Sequence, residues 1–143
     1  MAASRAVQIT LLVTWLLLAG CGPLDRAELG RGVETLGAIT AEGQLLAAGV
    51  AADRTRSTFA RVHAATLADD ASHEAEKLAD AHVETGADRE RDQAVGLAQR
   101  IDDALGELET FPGGERTGAQ VHADLTEIAD DIERLSERIK AGT

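Results

Sequence analysis

The chain has 143 residues, a formal net charge of −11 and 2% aromatic side chains. That length suits one domain. The acid excess leaves no broad basic surface to neutralise phosphates, which excludes a nucleic-acid partner and general electrostatic attachment to anionic lipid. A core so rich in Ala and poor in aromatics is expected to be thin.

The N-terminus carries Arg5, then an apolar run over residues 9–19 ending in small side chains. This is the layout of a removed secretory signal, and it is too short for a spanning helix, which needs about 20 apolar residues. From these residues alone, a cleaved signal ending near Gly20 and an uncleaved short anchor both remain open. Cys21 is the only cysteine, so it forms no internal disulfide. An unpaired thiol in an exported chain calls for another explanation.

Leu18-Ala19-Gly20-Cys21 places a branched apolar residue and two small ones before that cysteine. The pattern resembles the lipobox of bacterial lipoprotein signal peptides, and the resemblance covers residues 1–21. It implies that a signal peptidase recognises Leu18, Ala19 and Gly20 and cuts before Cys21. It also implies a diacylglyceryl thioether on Cys21 and one lipid-anchored domain, residues 21–143, facing outward from a bacterial membrane. Gly22 stands where Asp would resemble an inner-membrane retention signal, so the outer membrane is the expected destination in a cell that has two. Two acyl chains hold stably where one holds only reversibly. The bilayer is thus one expected partner, and the lipid the only covalent group. Cleavage would remove Arg5, Trp15 and no acid, leaving Phe59 and Phe111 as the aromatic residues.

Beyond Gly22-Pro23, Asp25 is placed as a helix N-cap, with Glu28 completing a capping box and Leu24 and Leu29 positioned as a hydrophobic staple. Helix one then follows Leu29, Val33, Leu36, Ile39, Leu46 and Val50 at helical spacing. Gly30, Gly32, Gly37, Gly43 and Gly49 interrupt it, each costing about 0.5–1 kcal/mol relative to Ala. They fit either close helix packing or a broken, mobile helix.

Helix two is expected over residues 53–85, stopped by Gly86. Ala60, Ala64, Leu67, Ala71, Leu78 and Thr85 share a narrow strip flanked by His63 and His82. On the opposite face Asp69, His73, Glu76 and Asp80 follow at steps of four, three and four. These four are the candidate ligands for a divalent cation. Metal-binding bundles use duplicated, inward Glu-x-x-His pairs; here there is a single Asp70-x-x-His73, on a face opposite the apolar strip. A solvated face is the simpler reading, and no metal site is assigned. His63, His82 and His122 are taken as core-edge or surface residues.

Helix three, residues 87–110, carries Ala94, Ala98, Ile101, Leu105 and Leu108 on a coiled-coil-like stripe. The breaker Phe111-Pro112-Gly113-Gly114 ends it. Helix four is expected to start near Thr117, paired with Gln120 as a capping box. Its seam is Val121, Leu125, Ile128, Ile132, Leu135 and Ile139, and Asp124 and Glu127 early with Arg134, Arg138 and Lys140 late suit the helix dipole. Helix three is the expected antiparallel neighbour of that seam, with a helix from another chain as the rival.

The expected fold is all-α: an antiparallel bundle of about four helices, or two hairpins with helices two and three partly continuous. An extended oligomeric coiled coil is the alternative. No nucleophile elbow or strand-borne glycine motif is present, so no enzyme is expected. The leading function is a lipid-anchored, non-catalytic binding or scaffold module for an envelope protein or for self-association. The alternatives are a divalent-cation-binding lipoprotein using helix two, and a carrier of a small apolar ligand within the bundle.

Overall fold

Asp25 starts the first helix as its neighbours dictate. Its side chain accepts from the Glu28 amide at 2.7 Å, while the Glu28 carboxylate accepts from the Asp25 amide at 3.3 Å. The computed structural model describes residues 24–142; Leu18, Ala19, Gly20 and Cys21 lie outside them. Among the described residues the chain is all-α, with helices α1 (Arg26–Ala51), α2 (Ser57–Ala79), α3 (Asp88–Thr110) and α4 (Glu115–Ala141). None of these helices is long and apolar enough to cross a membrane.

α1 runs unbroken through its glycines, and α4 lies antiparallel on it. Gly30 is set against Ile139, Gly37 against Ile132, and Gly43 against Leu125 and Leu105. At the far end Gly118 abuts the backbone of Ala47 and Ala51. Gly43 therefore serves close packing on α4 and Gly32 on α2, whereas a Cβ at Gly30 or Gly37 would make only ordinary contact; the helix is not broken. Every seam residue expected on α1, α3 and α4 is buried. Large aliphatic side chains supply that core at roughly 1.5–3 kcal/mol each before entropy is counted, and among the described residues no aromatic ring contributes to it.

The chief neighbour of the α4 seam is α1, and α3 makes the lesser contact. This corrects the expectation from chain proximity. A short Pro/Gly loop brings α3 and α4 together, but the small side chains of α1 allow the closer approach. α2 and α3 form the second tight pair.

Three boundaries also differ from expectation. Residue 53 does not open α2: Asp53 sits at φ +51°, in the left-handed region, and ends α1. There Asp53 N–H donates to Val50 at 3.0 Å and Arg54 N–H to Gly49 at 2.9 Å, a Schellman motif with Asp in the place usually taken by Gly. α2 stops at Ala79, so it is not continuous with α3 and Thr85 lies in the connector. Weak helix formers His82, Val83 and Thr85 follow it. Their backbone instead meets Leu24, which donates to His82 and accepts from Glu84, and Val83 packs on the core. Gly86, at φ +92°, makes the turn into α3. Finally, α4 starts at Glu115 from Gly114, and Gly118 N–H already donates to Gly114 at 2.8 Å. Thr117 is therefore inside the first turn and caps nothing, and Glu115 supplies an acid in that turn.

The bundle thus has two distinct ends. Leu24, the 80–87 connector and the C-terminus of α4 form one, where Arg26 lies beside Gly142. The α1–α2 and α3–α4 loops form the other, where Gly113 approaches Ser57.

Candidate functional site

Asp69, His73 and Glu76 lie on the exposed face of α2, and Asp80, also exposed, is its C-cap. Among the described residues no group of three or more His, Cys, Asp or Glu side chains is placed to hold a metal ion. His82 and His122 are exposed as well. His63 is half-buried: its Nε2 is 2.8 Å from Glu42 of α1 and its ring stacks on Phe59, centroids 5.2 Å apart.

That contact locates an apolar surface. Leu45 lies one turn beyond Glu42 on α1, and Phe59 one turn before His63 on α2. In antiparallel helices both steps lead toward the α1–α2 loop. Leu45 is 77% exposed, Phe59 58% and Val62 62%; Phe111, in the neighbouring α3–α4 loop, is 62% exposed. All four thus lie toward the end of the bundle that carries the α1–α2 and α3–α4 loops. These four residues are not on the helical seams, so a periodicity reading passes over them.

A polar groove of about 330 Å³ lies between α3 and α4, lined by Arg100, Asp131, Arg134 and Arg138 with Leu97 and Leu135 beneath. Asp131 ties its two walls together. Arg100 donates to its Oδ2 at 2.7 Å and Arg134 to its Oδ1 at 2.5 Å. Arg100 also reaches Glu127 at 3.2 Å, and Arg138 donates to Gln93 at 2.6 Å. The hydrogen bonds from Arg100 and then Arg134 hold the Asp131 carboxyl below the usual carboxylate range, against a small opposing effect of burial. From the sequence, Arg134 and Arg138 are expected only to complement the helix dipole. Their one-turn spacing was visible, but the wall that Arg100 supplies was not.

The other notable charged group is Glu74, buried on α2 where apolar spacing predicts none. It accepts from Lys77 at 3.1 and 3.2 Å and lies against Gly32 of α1. Its role is structural, filling the space left beside a glycine. A second groove of about 400 Å³ runs between α1 and α4, edged by Glu34, Glu133 and Glu137. Comparison with protein-family models, curated proteins and solved structures finds no match to this chain.

Proposed function

We propose that this protein is a lipid-anchored, non-catalytic helical module on the outer face of a bacterial membrane, binding an envelope protein through the end of the bundle remote from Cys21. The observation that carries this reading is the polarity of the bundle. The described chain enters at Leu24, three residues after the lipobox cysteine, while Leu45, Phe59, Val62 and Phe111 are exposed toward the opposite end. Two acyl chains on Cys21 would hold the entrance end at the bilayer, and so short a tether would direct the apolar end outward. Exposing such side chains to water without a partner is unfavourable at about 25 cal/mol per Å² of apolar surface. The all-α fold is compatible with this role.

Site-specific photo-crosslinking in native envelopes tests the reading. A photoreactive residue at Phe59 or Phe111 is expected to capture one discrete envelope protein, and the same residue at Asp69 is not. No discrete adduct at either aromatic position, or the same adducts at all three, contradicts it.

A further inference from the structure

The two grooves beside α4 carry opposite charge. The α1–α4 groove sets Glu34, Glu133 and Glu137 against Lys140, whereas the α3–α4 groove sets Arg100, Arg134 and Arg138 against Asp131. The sorting is written into α4 as Glu133-Arg134 and Glu137-Arg138. These successive pairs place acids on one flank of the buried Ile132, Leu135 and Ile139 seam and bases on the other. In a chain with 25 acidic residues and 14 Lys plus Arg, a groove lined by three guanidiniums and one carboxylate, with Glu127 reaching Arg100 from outside the lining, runs against the overall composition.

We propose that the α3–α4 groove is an oxyanion site that takes a phosphate group. Guanidinium forks match phosphate oxygens bidentately. Asp131 spends both its oxygens orienting Arg100 and Arg134, and Gln93 orients Arg138. The three arginines are thus positioned before any ligand arrives, and each keeps further N–H donors for it. Space is available, since a side chain at Gly96 on the α3 wall would meet nothing within 4 Å. The floor of Leu97 and Leu135 is apolar, which suits a phosphate ester. The groove spans the start of α3 and the end of α4, in the half of the bundle nearest Leu24. A lipid headgroup and a free phosphate ion both supply this chemistry there. The site itself does not depend on acylation of Cys21.

The test is phenylglyoxal labelling of arginines in the full-length protein, read residue by residue by mass spectrometry. The protein is held either in neutral detergent with inorganic phosphate, or on vesicles of phosphatidylglycerol or of the phosphate-free digalactosyldiacylglycerol. Labelling of Arg134 and Arg138 is expected to slow severalfold while exposed Arg61 is unaffected. Protection by inorganic phosphate identifies a soluble ion as sufficient; protection by phosphatidylglycerol alone identifies the headgroup. No selective protection in any arm, or protection equal on both lipids with no effect of inorganic phosphate, overturns the proposal. As a second measurement, the double variant Arg134→Gln/Arg138→Gln should weaken phosphate binding at least about tenfold, the loss expected for a charge-assisted contact. Arg61→Gln should not weaken it, and an equal effect from Arg61→Gln overturns the proposal.

Discussion

Among the described glycines, Gly118 is the one where an added Cβ would come closest to backbone. A Cβ there would stand 2.5 Å from Ala51 N, 2.9 Å from Ala47 O and 3.0 Å from Ala51 Cα. All three are backbone atoms, so no rotamer change relieves the contact. Carbon atoms pack favourably at about 3.5–4.0 Å, so Gly118→Ala must push the end of α1 away by about 1 Å. Replacing a helical glycine by alanine is worth about 0.5–1 kcal/mol in favour of the variant. Overpacking that moves backbone costs typically about 1–3 kcal/mol and sometimes more. A gap of that size also forfeits about a quarter to a half of the dispersion energy of neighbouring contacts. The net expectation is a loss of about 1–3 kcal/mol. Gly106 is the control, because a Cβ there meets nothing within 4 Å, and Gly106→Ala should gain about 0.5–1 kcal/mol. Thermal unfolding followed by far-ultraviolet circular dichroism resolves the two, at about 4 °C per kcal/mol for a domain of this size. A Gly118→Ala protein as stable as its parent, alongside a stabilised Gly106→Ala, would show that α1 and α4 do not meet in this register.

Three further outcomes are expected. Asp53→Gly should stabilise the protein by about 0.5–1 kcal/mol in urea unfolding, because glycine adopts the left-handed cap conformation without the cost of a Cβ. Lys77→Met should cost about 1 kcal/mol by leaving buried Glu74 without its partner, and the double variant Glu74→Met/Lys77→Met should recover most of it; a double variant no better than Lys77→Met contradicts this account of the pair. For Asp131, the folded carboxyl stays ionised below the pH at which the unfolded chain takes up its proton. Its contribution to stability is therefore present above the ordinary carboxylate range and lost as pH falls through the lowered folded value. Asp131→Asn should flatten that part of the stability profile between neutral and acid pH, and an unchanged slope in urea unfolding contradicts the assignment.

The features legible in the sequence were those that repeat along one helix. The seam from Val121 to Ile139 and the Asp25–Glu28 box depend on residues three or four apart, and both are in place. Misplaced features depended on partners distant in the chain. Helix two ends six residues earlier than its periodicity implies because the 82–84 backbone bonds to Leu24, a contact that periodicity does not register. Thr117 resembled a cap because Gly114 can begin a helix without a side-chain oxygen. The close approach of α1 to α4 at Gly43 and Gly118 depends on glycines, whose two readings separate only when the opposing residues are known. The arginine groove was hidden for the same reason: Arg100 and Arg138 come from different helices. The whole-chain charge concealed it further, since an excess of acids says nothing about how the bases are grouped.

The central claim is that Cys21 carries the lipid that holds this bundle at a membrane. Mass spectrometry of the N-terminal peptide of the protein recovered from membranes tests it most directly. The account predicts a peptide beginning at Cys21 with a diacylglyceryl group on its sulfur, and predicts that Cys21→Ser leaves the chain unprocessed and without that group. A peptide with an unmodified Cys21, or a Cys21→Ser chain that is cleaved and retained at the membrane as before, contradicts it.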